Sequence, residues 1–271
     1  MQWLLSRSIL WCIKCQKDHR SKHKKACKKR AAELRDEILF KQPENHHFGD
    51  CPICCLPLMI EGEENFMATC CSKIICYGCQ YANEMREKEG GLEHKCAFCR
   101  KPTPKSQESI ESNLVKRVEV NDPAAICAMG LRRIEDGDYK SAFEYLSKAA
   151  ALGNMDAHVN LSLMYYGGYG VEKDERKRVY HLEEAAIGGH VDARLNLAGF
   201  EAENRMYDRA AKHFIIAANL GCGKALEGLK LMYSVGHVAK EDFAAALRAQ
   251  KAAVDAMKSP QREAAKAAKN E

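Results

Sequence analysis

No run of roughly 18 apolar residues, the length a membrane-spanning helix needs, occurs in the 271-residue chain. Cysteine is nearly missing beyond residue 100: of 14, only Cys127 and Cys222 lie there. That asymmetry argues against a chain-wide disulfide framework and ties the cysteines to one region. Tryptophan is confined to Trp3 and Trp11. The opening stretch to Trp11 is apolar but is cut by Arg7, and a basic run follows without a small-residue cleavage site. It reads as neither a signal peptide nor an anchor. A reducing compartment, cytoplasm or nucleus, is expected.

Charge is unevenly spread. Residues 1–48 hold 12 Lys and Arg against 5 Asp and Glu, whereas the rest of the chain carries a small negative excess. The basic run from Lys14 to Arg30 is compatible with a nuclear-import or nucleic-acid patch. A solvated helix face beside a metal site explains it equally well. The run has no interleaved aromatics for stacking bases, which argues against nucleic acid.

What the sequence does have is concentrated between Cys51 and Cys99. Three C-x2-C knuckles (Cys51/Cys54, Cys76/Cys79, Cys96/Cys99) and the doublet Cys70-Cys71 place eight thiols in one short segment. Eight sulfurs suffice for two tetrahedral zinc sites. A segment this short has little apolar core, so metal is its expected staple. A thioredoxin-type knuckle would need a βαβ setting, and an iron–sulfur cluster would leave four cysteines unused. Cys55 is a ninth thiol, read as a bystander, and His94 competes with the doublet as a ligand.

The alternation of knuckles resembles an all-cysteine RING finger, in which pairs one and three share a zinc and pairs two and four share another. The resemblance implies one site from Cys51, Cys54, Cys76 and Cys79, and a second from Cys70, Cys71, Cys96 and Cys99. Lys73 stands where many RINGs carry a ligand histidine, and as an ammonium it cannot bind zinc. Pro52 and Gly78 are read as turn residues, glycine for its access to positive φ. RING domains hold a ubiquitin-conjugating enzyme and its ubiquitin in a reactive pose without a nucleophile of their own. By resemblance, Ile53 would contact that enzyme and Arg100 would bridge both proteins. Ala97 replaces the family's usual proline, and the segment has no tryptophan.

Upstream, Cys15-Gln16, His23-Lys24 and Cys27 resemble the C-terminal half of a MYND zinc finger. Cys12 lies one residue closer to Cys15 than in that family, and residues 1–11 contain neither cysteine nor histidine. Cys12, Cys15, His23 and Cys27 therefore read either as a single Cys3His site for a third zinc or as the end of a degenerate or truncated finger. His23 and Cys27, four residues apart, would share a helix face.

Beyond residue 118 the chain repeats itself. An Ala-Ala-x2-Gly ending recurs at Ala149–Gly153, Ala185–Gly189 and Ala217–Gly221, and Ala125, Ala157, Ala193 and Ala225 open successive units. Tyr139, Tyr207 and Phe243 are each followed three residues on by Ala142, Ala210 or Ala246. Small residues at fixed places let paired helices approach, giving a helical solenoid. With Tyr165-x2-Gly168-x-Gly170-Val171-x2-Asp174, the pattern resembles the Sel-1-like repeat, whose members mostly act as adaptors for protein partners. His158, His181, His190, His213 and His237 are scattered at spacings that suggest no ligand cluster, and no catalytic constellation stands out.

The expected fold is mainly α: a small zinc-stabilised RING-like module followed by an α-α repeat solenoid. The expected segments are a partial MYND-like finger (1–30), a connecting helix and polar linker (31–47), the RING-like module (48–104), a linker helix (105–118), repeats (119–258) and an Ala/Lys-rich tail (259–271). The expected function is a zinc-binding interaction protein, foremost a RING-type ubiquitin ligase that positions a ubiquitin-conjugating enzyme while its repeats bind substrate. The alternative is a non-enzymatic scaffold. Neither a membrane nor a nucleic-acid partner is expected.

Overall fold

The computed structural model describes residues 26–61 and 65–269. The chain divides into two compact units, residues 1–42 and residues 43–271. In the first, residues 26–39 are helical (α1), as expected from a stretch free of Gly and Pro. Arg30 reaches Glu33 at 3.3 Å and Glu37 at 3.2 Å along one exposed face, an arrangement that supports a surface helix only weakly.

The second unit begins with the cysteine-rich segment. Strands β1 (Asn65–Ala68) and β2 (Lys73–Cys76) form an antiparallel hairpin with Phe66 opposite Ile75. Helix α2 (Tyr77–Glu89) follows directly, its start capped by the Cys76 sulfur. Helix α3 (Gln107–Glu119) begins with a reciprocal capping box between Ser106 and Ser109.

Eight helices then stack as consecutive antiparallel pairs. They are α4 (Pro123–Glu135) with α5 (Tyr139–Ala151), α6 (Met155–Gly167) with α7 (Glu175–Ile187), α8 (Val191–Glu203) with α9 (Tyr207–Asn219), and α10 (Gly223–Ser234) with α11 (Lys240–Ala256). The residues that open and close each unit explain the stacking. Ala125, Ala157, Ala193 and Ala225 are fully buried, as are Ala142, Ala149, Ala185, Ala210 and Ala217. A larger side chain at any of them would push two helices apart. Gly130 serves the same end, because a Cβ there would lie 2.9 Å from Leu146.

Each Ala-Ala-x2-Gly ending closes its helix in one way. Gly153, Gly189 and Gly221 take φ of +86°, +84° and +104°. The following amides of Asn154, His190 and Cys222 then donate to the carbonyls of Ala149, Ala185 and Ala217 at 3.0, 2.9 and 3.1 Å. This is the Schellman geometry, which satisfies carbonyls that a bare helix end would leave exposed. Between α6 and α7 the longer loop folds back: Gly170 passes so near Tyr139 that a Cβ would meet its carbonyl at 2.7 Å, and Tyr169 stacks on the Tyr139 ring at 5.3 Å. Arg178, at a position other units give to a small residue, lays its guanidinium over Tyr166 at 4.5 Å and Phe200 at 5.7 Å.

Residues 260–269, within the Ala/Lys-rich segment, are helical. Helix α12 (Pro260–Lys269) packs against α2, with Arg262 and Ala265 buried. Among the described residues, no helix is long and apolar enough to cross a membrane.

Candidate metal centre

The first and last knuckles share one local geometry. Cys55 N donates to Cys51 O at 2.8 Å and Cys51 N to Leu56 O at 2.9 Å. In parallel, Arg100 N donates to Cys96 O at 3.0 Å and Cys96 N to Lys101 O at 2.8 Å. Both turns need a left-handed residue after the second cysteine, and Cys55 (φ 56°) and Arg100 (φ 63°) supply it. Cys55 is thus exposed and stands outside both sulfur sets. The hairpin presents the doublet Cys70-Cys71 at its turn, where Ser72 is also left-handed (φ 55°). The start of α2 presents Cys76 and Cys79, and the Cys79 amide donates to the Cys76 sulfur at 3.4 Å.

The sulfurs converge into two sets, Cys51/Cys54/Cys76/Cys79 and Cys70/Cys71/Cys96/Cys99, each with its ligand atoms within 4.8 Å of one another. Sulfurs bound to one zinc at about 2.3 Å in a tetrahedron lie about 3.8 Å apart. Cys54 and Cys76 are 3.8 Å apart, Cys71 and Cys96 3.9 Å, and Cys70 and Cys99 3.3 Å. All are far beyond a disulfide bond. The donor set, count and spacing therefore fit zinc in both places. His94 faces the Glu87 carboxylate at 3.3 Å and is not in either set.

Electrostatics point the same way. Burial, with neighbouring sulfurs adding to it, pushes the Cys70 and Cys79 thiols well up and Cys71 up to about 11. Burial also raises Cys54, but the Leu56 amide and the Arg262 guanidinium outweigh it and leave that thiol at about 7. Four sulfurs this close cannot all ionise without a cation among them.

Gly78 is not a turn residue. It lies inside α2, and what it supplies is space: a Cβ there would lie 2.8 to 2.9 Å from the Cγ, Cα and N of Arg262. Ile53 is 41% exposed and Phe98 42%. Arg100 is also exposed, its guanidinium held by the Asn83 side chain at 2.8 Å. Of the N-terminal candidates, Cys12, Cys15 and His23 lie outside the described residues, and Cys27 sits on α1.

The structure also joins residues that spacing alone kept apart. Asn45 to Phe48, read as a polar linker, is seated on the repeats: His46 is buried, and His47 N donates to Gly189 O at 3.2 Å. His47 and His190 stack at 3.9 Å with their planes 12° apart, and both Nε2 atoms face Asp156 Oδ1, at 3.3 and 3.2 Å. This trio is close enough to suggest a third metal, but its geometry serves hydrogen bonding. The Ala193 amide donates to His190 Nδ1 at 3.4 Å, which leaves the ring hydrogen on Nε2, pointing at the carboxylate. His158 and His181 likewise pair, Nδ1 to Nδ1 at 3.0 Å, and fully buried His213 faces Glu201 at 3.4 Å. His237 stacks on Tyr207 at 4.1 Å.

Paired helices stacked in register, three of the four pairs closed by a glycine Schellman turn, define the second unit as carrying an α-α repeat solenoid. The repeats are similar to the Sel1 repeat, whose family model matches residues 123–154, 156–190 and 203–222. Among solved structures, a Sel1 repeat protein from Oxalobacter formigenes is 25% identical, with 66% of this chain and 72% of that one covered and a TM-score of 0.48. The protein c5321, a protective antigen of uropathogenic Escherichia coli strains displaying an SLR fold, is 22% identical, covering 69% of this chain and 39% of that one at a TM-score of 0.46.

Proposed function

We propose that this chain is a zinc-braced adaptor: two structural zinc ions fold the cysteine-rich module, and the Sel1 repeats present a surface to protein partners. The observation that carries the zinc reading is the sorting of eight sulfurs into two separate groups of four at zinc-like spacing. Cys51, Cys54, Cys76 and Cys79 would hold one ion and Cys70, Cys71, Cys96 and Cys99 the other. Zinc supplies a fixed cross-link, with no open position once four thiolates are bound. For partner binding, Leu131, Leu163 and Leu231 stand six residues after the opening alanine of their units. They are 37, 49 and 66% exposed, unusual for leucine and consistent with an apolar stripe along the repeats. Metal analysis of the purified chain tests the reading. Two zincs per chain are expected, a third would assign metal to Cys12, Cys15, His23 and Cys27, and none would overturn it.

A second reading keeps ubiquitin transfer. Its support is the exposure of Ile53, Phe98 and Arg100, the first and last at the positions that contact the conjugating enzyme in RING proteins. An autoubiquitination assay with a panel of conjugating enzymes decides. Chain formation that Ile53→Ala or Arg100→Ala abolishes supports it. No chains with any pairing, or no effect of either substitution, removes it and leaves the adaptor.

A further inference from the structure

Arginine at position 262 stands within a short Ala/Lys-rich helix where solvent exposure would be ordinary, yet it is only 7% exposed. A buried guanidinium needs partners to offset its lost hydration, and here both Nη atoms find them while Nε has none. Nη1 donates to Pro57 O and to Met257 O, both at 2.6 Å, and Nη2 donates to Leu56 O at 3.2 Å and to Cys54 Sγ at 3.4 Å. One side chain therefore grips the turn after the first knuckle, the end of α11 and a candidate metal ligand 208 residues earlier in the chain. The approach is built into both surfaces. Gly78 leaves room for the Arg262 backbone, Ala265 is fully buried, and Lys269 Nζ lies 5.9 Å from the Tyr77 ring centroid.

We propose that Arg262 is a positioning residue for the first sulfur set, so that retention of one of the two zincs depends on the C-terminal helix. This rests on the zinc reading given above. A zinc ion with four thiolates carries a net charge of −2, and a buried guanidinium bonded to one sulfur halves it. The same contact fixes the Cys54 turn, which would otherwise swing a ligand away. The second set is supported differently. The Cys99 amide donates to the Cys96 sulfur at 3.5 Å, and the amides of Lys73 and Lys101 support Cys71 and Cys99. These donors come from the module's own backbone, so that site should not respond to Arg262.

The test is zinc release from the loaded full-length chain to a chromogenic chelator, with timed cysteine alkylation and mass spectrometry to identify which sulfurs become free. Arg262→Gln should weaken the hold on one zinc about 10–100-fold, the range seen for metal affinity when a ligand's hydrogen-bond partner is removed, and that ion should leave correspondingly faster than from the parent. Alkylation should fall first on Cys51, Cys54, Cys76 and Cys79, with the second zinc unchanged. Gly78→Ala reaches the same contact from the other side without touching Arg262 and should repeat the pattern. Arg262→Lys keeps the charge but not the fork, and should fall between. Variants whose two zincs both leave at the parental rate overturn the proposal. So does equal acceleration of both with alkylation spread over all eight cysteines, which marks general loosening. A parent chain without zinc sinks the adaptor's metal reading as well, and is seen before any variant is made.

Discussion

The carboxylate of Glu61 accepts the backbone amide of Gly223 at 2.8 Å, across 162 positions of sequence. Its Oε1 also takes the Lys224 amide at 3.3 Å and the Cys222 thiol at 3.4 Å. A residue of the cysteine-rich module thus caps a repeat helix, α10, whose own preceding side chain makes no cap hydrogen bond. An anion at a helix N-terminus satisfies free amides and meets the positive end of the helix dipole. Glu61→Ala should lower the unfolding free energy by about 1 kcal/mol, within the range for loss of a cap. Glu61→Gln, which keeps the acceptor oxygen, should lose less. Urea denaturation of the three proteins checks both.

Gly189 and Gly153 occupy equivalent positions with nearly the same backbone, φ +84° and +86°. They differ in surroundings. A Cβ at Gly153 meets nothing within 4 Å, whereas one at Gly189 would lie 2.6 Å from Asn45 O. Gly153→Ala should therefore show only the backbone cost of a left-handed alanine, about 1–2 kcal/mol. Gly189→Ala should cost clearly more and should release the His46–His47 segment. Thermal midpoints of the two variants provide the comparison, and equal losses would refute it.

Acid should weaken the fold before the carboxylates titrate. Burial, with His47 adding to it, lowers His46 to about 4. Burial, with His158 and Lys177 adding to it, lowers His181 to about 4. His47, His158 and His213 are lowered chiefly by burial as well. An unfolded histidine titrates near 6.5. These groups are neutral in the folded chain, so their contribution is complete above about pH 6.5 and is lost as pH falls toward about 4. Burial raises Asp156, but bonds from His190 and His47 outweigh it and hold the carboxyl well below its usual range. Its contribution fails only below the ordinary carboxylate range, under the histidine window. Unfolding free energies measured at intervals from pH 7.5 to 4 should fall across that window, and more gently in His181→Gln.

Chelation separates the two parts of the second unit. Structural zinc contributes on the order of 10 kcal/mol to a small metal-folded module, whereas the paired helices α4 to α11 hold their own buried alanine and leucine core. Removing zinc should open residues 48–104 to protease while most of the helical circular dichroism remains. A chelated chain that resists cleavage there would speak against metal as the staple.

The solenoid was legible in the sequence because its packing rule is local and periodic. Every unit needs an alanine where helices touch and a glycine where they turn. The eight cysteines were legible as a count, and their two groups emerged from the RING resemblance. The contacts that seat the module were not. His46 and His47 look like any polar linker, because nothing nearby in sequence signals that Asp156 and His190 await them. The α12 segment has the composition of a solvated tail, and no pattern distinguishes Arg262 from a surface arginine. Gly78 shows the limit plainly: a glycine beside a knuckle reads as a turn, while its partner is a helix nearly two hundred residues away. Such contacts have no sequence period to betray them.

The Arg262 fork that holds the first knuckle also orders events during synthesis. Cys51, Cys54, Cys76 and Cys79 leave the ribosome well before Arg262 does. The guanidinium that completes their surroundings lies 208 positions after Cys54 and is made only after the repeats between them. On the zinc reading, the newborn module would hold its metal unclamped until α12 is made and closes over it.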